Sequence, residues 1–466
     1  MGGFNYMRDT DNIVTVIMDM DGPVNIMSDA YTGFMEETIT RLETEKESLT
    51  GVIITSAKST FFAGGDLRRI YGLRPSQSKA FFKALEEKKG FLRRLEKLGK
   101  PVVAAINGTA LGGGFEICLA CSHRMAIDNP KTLLGFPEVS LGVMPGAGGV
   151  VRMVHMLGLK QALPYLMEGT IISSVDALEA GMIDELATDK DALLTKACDW
   201  IKANPKVSKP WDQKGYKIPG GGYNDASVRR FIALSIPKLS KQSQERLPGP
   251  EMILDVAANA TRVNFDTALR IESRGLTTLV MTPQAKGLIS YKFLHAGKKP
   301  VAAPDAFVSR LRDVYQAEAA RMLGEGLGST LINTAGRQTG FTLDAVLDSV
   351  HGDSGADVNL KDVCDRLLFS QVIEAVRCLE EGVITDIVQG NAGSVNEAGF
   401  PPSLGGVFQC IDSYGFGTKE VCSAKDAELG AATFVQRAKE LADLYGYHFN
   451  PPELLLQKAD TASTFW

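Results

Sequence analysis

The stretch that most restricts the fold is "NGTALGGGFEICLA", residues Asn107 to Ala120, where three consecutive glycines stand between an apolar run and a carboxylate followed by more apolar residues. Glycine combines free φ with no side-chain bulk, so a run of it lets a backbone approach something closely. A tight turn that packs a strand on a helix and a backbone that approaches a ligand are both readings of this fragment. "NIVTVIMDM" (Asn12 to Met20), "TGVIITSA" (Thr50 to Ala57) and "PVVAAING" (Pro101 to Gly108) read as strands, and Asp29 to Glu47 as an amphipathic helix. Strands alternating with helices predict mixed α/β structure at the start of the chain.

Ser76 to Leu98 has helical spacing and carries Lys79, Lys83, Lys88, Lys89, Arg93, Arg94 and Lys97, with Arg74 just before it. A solvated helix face accounts for this charge. Cys118 and Cys121 form C-x-x-C without a second Cys/His pair at metal spacing, so they read as core thiols on a buried helix. An odd total of seven cysteines in 466 residues is unlike a secreted disulfide framework. A net charge of −5 argues against a nucleic-acid partner. No apolar run reaches membrane-spanning length, and the first residues lack a signal or myristoylation pattern, so the expected location is cytoplasmic.

Beyond Ala187 helical patterns predominate. "NPKVSKPWDQKGYKIPGGGYN" (Asn204 to Asn224) reads as a linker, and "HAGKKPVAAPD" (His295 to Asp305) as a break between helices. "RLRDVYQAEAARMLGEG" (Arg310 to Gly326) and "RLLFSQVIEAVRCLEEG" (Arg366 to Gly382) share the frame E-A-x-R-x-L-x-E-G. Gly340-Phe341 and Gly399-Phe400 follow the two copies. Two related helical units packed on one another are expected.

If Ala105 to Gly108 ends a strand and Phe115 starts a helix, the N–H groups around Gly112 to Gly114 are its unpaired donors, able to stabilise a negative oxygen. "STFFAGGDL" (Ser59 to Leu67) is a second glycine corner of the same form. Glu116 and, in "GFPEVSLGVMPGAGG" (Gly135 to Gly149), Glu138 are carboxylates that no local rule makes neighbours; surface or capping positions are equally open to each.

Taken together, "AINGTALGGGFEICLA", "FFAGGDL" and "GFPEVSLGVMPGAGGVVRMVHMLG" resemble the crotonase superfamily, most of all the hydratase end of multifunctional β-oxidation α-subunits, and the likeness runs to about Ala187. The resemblance implies a spiral of ββα turns and an acyl-CoA thioester substrate. It implies an oxyanion hole from the N–H groups of Gly65 and Gly113, with Glu116 and Glu138 holding and deprotonating water and Glu138 also returning a proton to Cα. Ala63, Asp66, Gly112, Pro137 and Gly146 would line the substrate. The Glu116 to Glu138 segment runs about two residues longer than in that family, around Ile127 to Gly135, which a loop extension or an altered acyl pocket would explain.

"MTPQAKGLISYKFL" (Met281 to Leu294) and Glu374 to Gly415 resemble the helical parts of 3-hydroxyacyl-CoA dehydrogenases. Between Leu294 and the first repeat there is no room for a Rossmann unit, and "GEGLGS" (Gly324 to Ser329) follows a helix, so it reads as a C-cap and turn. The expected organisation is a hydratase domain over 1–200, a linker and connecting helices over 201–300, and a helical, dehydrogenase-like region over 301–466. No NAD or metal is expected; coenzyme A enters as part of the substrate. A homodimer, or a complex with a thiolase or a separate dehydrogenase, is the expected assembly. Isomerisation, carbon–carbon cleavage or hydrolysis on the same thioester enolate, and an inactive scaffold, are the alternatives to hydration.

Overall fold

In the computed structural model, residues 2–242, 247–294, 302–345, 359–417 and 429–466 are described. Among the described residues, nine strands form two sheets: β1 (Gly3–Arg8), β2 (Ile13–Asp19), β3 (Gly51–Ser56), β4 (Val102–Ile106), β5 (Ala110–Leu111), β6 (His123–Ile127), β7 (Leu133–Gly135), β8 (Ile171–Ser173) and β9 (Glu185–Ala187). The larger sheet has the order β1-β2-β3-β4-β6-β9 and the smaller β5-β7-β8. β1 is antiparallel to β2, and the pairs from β2 to β9 are parallel.

The reason lies in composition. Every residue of β3 (GVIITS) and β4 (VVAAI) is buried, the mark of strands covered on both faces, which parallel sheets require. One cover is the Lys190–Ala203 helix, whose Leu193, Ala197 and Ile201 recur at helical spacing and pack on Ile13, Ile53, Val103, Ala105, Met125 and Ala187.

The Ser78–Glu96 helix departs from the expected solvated face: Lys88, Lys89 and Arg93 are buried. Its basic residues find acids on segments distant in sequence. Arg93 Nη2 lies 2.7 Å from Asp212 Oδ1, Arg93 Nε 2.8 Å from Asp266 Oδ1, and Lys89 Nζ 3.0 Å from Glu272 Oε1. A buried cation is tolerated when it is paired and hydrogen-bonded. Cys118 and Cys121 are buried thiols, as expected.

The chain divides into two compact units at other places than residues 200 and 300. One comprises Met1–Asp66, Lys79–Pro237 and Gly249–Thr277, and the other Leu67–Ser78, Lys238–Pro248 and Thr278–Trp466. The connecting helices are therefore no separate body. Lys89 and Glu272 tie the Phe265–Val280 helix into the first unit, where Ser273 Oγ also donates to Glu86 Oε1 at 2.6 Å. In the second, Lys286 Nζ donates to the carbonyls of Ile70 (2.7 Å) and Tyr71 (2.9 Å), which draws Leu67–Ser78 away from its sequence neighbours.

The described residues of the second unit are helical, and the duplication is visible as geometry. The Asp305–Gly324 and Leu360–Glu380 helices pack together, and each ends by the same bonds: Glu325 N to Arg321 O and Leu327 N to Met322 O, Glu381 N to Arg377 O and Val383 N to Cys378 O. The "GEGLGS" segment is thus a helix end and turn, with Gly326 at φ +93°. Charges are exchanged reciprocally. Arg310 of the first copy reaches Glu374 and Glu381 of the second, while Arg366 of the second reaches Glu318 and Glu325 of the first. Phe341 and Phe400 meet edge-on, with centroids 5.9 Å apart. Part of the expected break at His295 to Asp305, residues 295–301, lies outside the described residues.

Candidate active site

Two glycine corners run side by side at the ends of β3 and β4. Phe61 N and Phe62 N both donate to Thr109 O, Leu111 N donates to Phe62 O at 3.1 Å, and Phe62 and Ala110 form a parallel bridge. Contact this close needs residues without side chains: a Cβ on Gly114 would lie 2.5 Å from Phe62 O. Gly65 pairs with Met27 in a second bridge, and Met27 Sδ would lie 2.8 Å from a Cβ on Gly113, so both glycines abut the same residue, one at its backbone and the other at its side chain. A Cβ on Gly64 would be 3.9 Å from Gly113 N. The corners that are 48 positions apart in sequence are adjacent in space.

The helix after the triplet runs Gly113–Ala120, two residues earlier than a start at Phe115. Gly112, at φ +51°, is its N-cap, a backbone conformation that an L side chain rarely adopts. Among the described residues, neither the Gly65 nor the Gly113 N–H donates a hydrogen bond to the main chain. The Gly113 N–H sits at a helix N-terminus, where unpaired donors and the helix dipole favour negative charge. At the other end, the buried Lys209 caps the same segment, donating from Nζ to Leu119 O at 2.7 Å.

Both glutamates come to this place. Glu116, in the first turn of the helix, is 2% exposed, and its Oε1 accepts from Ala147 N at 2.7 Å and Gly149 N at 2.6 Å. A capping reading of Glu116 is therefore realised, across sequence and on the next helix, Gly149–Leu157. Glu138 stands in a 3₁₀ turn, Pro137–Leu141, held by proline at its start and by Gly142 at φ +71°. Its carboxyl carbon would lie 3.1 Å from a Cβ on Gly112, so the carboxylate rests against the Gly112 backbone, and its Oε2 is buried with no partner.

Burial pushes the Glu116 carboxyl up to about 7, and the charge of Glu272 adds to this against the Gly149 and Ala147 N–H bonds and Lys89. Burial, then the Glu116 charge, raises Glu138 well above the usual carboxylate range. Desolvation and like charge together favour the neutral acid. A pair of carboxyls that retains a proton near neutrality can present one acid and one base.

The remaining expected residues are spread around this centre. Ala63 and Gly65 are exposed on the first corner, with Ala63 N bonded to Asn25 O at 2.9 Å, and Asp66 is half-buried after them. Pro137 is half-buried beside Glu138. Gly146 is buried where a side chain would collide with Leu276. Reasoning from sequence missed Met27, Lys89 and Glu272. Glu272 left a signal: it falls on the apolar side of its helix, in step with Ala268, Leu269, Leu276 and Leu279.

Residues 8–209 match the family model described as enoyl-CoA hydratase/isomerase. The chain is similar to an enoyl-CoA hydratase from Bacillus anthracis, with 25% identity, 59% of this chain and 89% of that one covered, and a TM-score of 0.40. It is also similar to human mitochondrial delta3-delta2-enoyl-CoA isomerase, at 20% identity, 64% and 99% coverage and a TM-score of 0.44. An EchA1_1 structure from Mycobacterium paratuberculosis is 27% identical over 44% of this chain and 76% of that one, with a TM-score of 0.36. An α/β crotonase-like domain thus stands at the N-terminus, and a helical region follows it. No helix among the described residues is long and apolar enough to cross a membrane.

Proposed function

Starting from the crotonase-type domain at residues 8–209, we propose that this chain adds water to the double bond of an α,β-unsaturated acyl-CoA thioester. The observation that carries the reading is the pair of unbonded N–H groups at Gly65 and Gly113, on adjoining corners beside two protonatable carboxyls. The thioester oxygen takes both N–H bonds. Each is worth about 3 kcal/mol as that oxygen becomes an enolate.

Water is held between Glu116 and Glu138. One carboxylate accepts a proton from water as its oxygen bonds to Cβ, and the π electrons move onto the enolate. The enolate then collapses as the protonated partner delivers a proton to Cα, which leaves a 3-hydroxyacyl thioester. Glu138, whose Oε2 has no partner, is free to exchange protons with the substrate. Glu116 has one oxygen committed to two N–H groups; its other oxygen holds the water and takes its proton, while Glu138 delivers the proton to Cα. Ala63, Asp66, Gly112 and Pro137 form the surroundings of the acyl thioester. No nicotinamide cofactor takes part, and assembly is as a homodimer or with a thiolase or a dehydrogenase.

The test is spectrophotometric. Short, long and bulky 2-enoyl-CoA esters should lose their conjugated absorbance with the purified chain. Glu138→Gln should slow that loss about 10²- to 10⁴-fold while CoA-ester binding persists. A gain of conjugated absorbance from a 3-enoyl-CoA, with 2-enoyl esters untouched, would replace hydration by isomerisation. No change with any ester would favour the scaffold reading.

A further inference from the structure

The turn that opens the Gly149–Leu157 helix is held by two carboxylates, not one. Between the Ala147 and Gly149 N–H groups taken by Glu116, Gly148 N donates to Glu272 Oε1 at 2.6 Å, and Val151 N donates to Glu272 Oε2 at 3.1 Å. Glu272 is fully buried, and its charge is met by Lys89, itself anchored on Leu269 O at 2.5 Å.

We propose that Glu272, anchored by Lys89, is a positioning residue for Glu116: it fixes the 147–151 turn against which Glu116 is held and brings a further negative charge beside the Glu116 and Glu138 carboxyls. A helix N-terminus needs only acceptors, and neutral side chains serve. Two carboxylates on one N-terminus, with a third nearby and Lys89 paired to one of them, exceed what capping requires. The groups that face Glu116 are Tyr31 from the Asp29–Glu45 helix, Lys89 from Ser78–Glu96, Glu138 from its 3₁₀ turn and Glu272 from Phe265–Val280. Arg152, on the Gly149–Leu157 helix, is taken by Glu96 at 2.8 Å. Among the charges acting on Glu116, that of Glu272 is the largest, and it also bears on Glu138.

This inference rests on the hydration reading only for its kinetic arm. The other arm follows the Glu116 carboxyl by ¹³C NMR titration of the full chain, assigned with Glu116→Gln. Glu272→Gln should lower the Glu116 midpoint by about one pH unit, and Lys89→Met should raise it by less than that. The acid limb of kcat/KM for enoyl thioester hydration should move with each. A purely structural pair predicts weaker activity from both variants with the midpoint unmoved, and that result overturns the proposal.

If the single variants do not fold, Lys89→Met/Glu272→Leu replaces the buried pair by apolar groups. Its Glu116 midpoint should still fall, because Glu272 acts on Glu116 more strongly than Lys89 does; an unmoved midpoint counts against the proposal there too. A chain that titrates as stated but hydrates nothing refutes the hydration reading and leaves the role of Glu272 standing.

Discussion

Replacing Glu116 by glutamine and by alanine should separate what its oxygen does from what its charge does. Oε1 accepts two N–H groups, from Ala147 and Gly149, in a buried place. Glutamine keeps an acceptor oxygen; alanine removes it and strands both donors. At about 1–3 kcal/mol for each unsatisfied buried group, Glu116→Ala should be about 2–6 kcal/mol less stable than Glu116→Gln, and the cavity adds to that. Both variants should lose about 10²- to 10⁴-fold in kcat.

Titration gives this comparison a sign. The Glu116 carboxyl is raised from an ordinary 4.5 to about 7, so the folded chain holds its proton more tightly than the unfolded chain does. Its stabilising contribution is complete below about 4.5 and is lost as pH rises to about 7. Glu116→Gln cannot lose a proton, so its stability relative to the parent chain should improve across that window and then level off. Urea unfolding of the first unit, followed from pH 4 to 8 with hydration assays alongside, measures both effects. Equal stability of the two variants at every pH would refute the assigned N–H bonds.

Gly112→Ala should cost about 1–3 kcal/mol in backbone strain at φ +51°. By pushing the Glu138 carboxylate aside it should also lower kcat about 10²-fold with KM little changed; steady-state kinetics checks this. In the helical unit, Arg366→Ala should destabilise by about 1–3 kcal/mol, because the fully buried Glu318 loses the partner of Oε1 and keeps only Arg321 and His448 on Oε2. Arg310→Ala, whose contact with Glu381 is exposed, should cost less, and denaturation with a double-mutant cycle ranks the two. Isothermal calorimetry with NAD should show no binding to the full chain; tight binding would contradict the proposed lack of a nucleotide site.

Of the nine described strands, β2, β3 and β4 were legible because each is a short apolar run with a clear end. The borders of β2, β3 and β4 fall within a residue or two of the positions read from "NIVTVIMDM", "TGVIITSA" and "PVVAAING". Gly112 to Gly114 were legible as a place of close approach, but what approaches, Phe62 and Glu138, comes from segments that the local pattern cannot join. The buried face of Ser78–Glu96 was illegible for a related reason. A run of lysine and arginine looks solvated until the acids that neutralise it, Asp212, Asp266 and Glu272, are seen to arrive from more than a hundred residues away. The grouping of segments into units has the same origin: Leu67–Ser78 joins the second unit, where its carbonyls bond Lys286 in a way that no periodicity encodes.

The crossed arginines of the helical repeat make each copy complementary to itself. Arg310 and Arg366 hold equivalent places, and so do the glutamates that receive them. Such an exchange has the form of an isologous contact between identical subunits, here written into one polypeptide. Because the exchange runs within one chain, an arginine lost from one copy unsettles the charge balance of the other copy rather than its own.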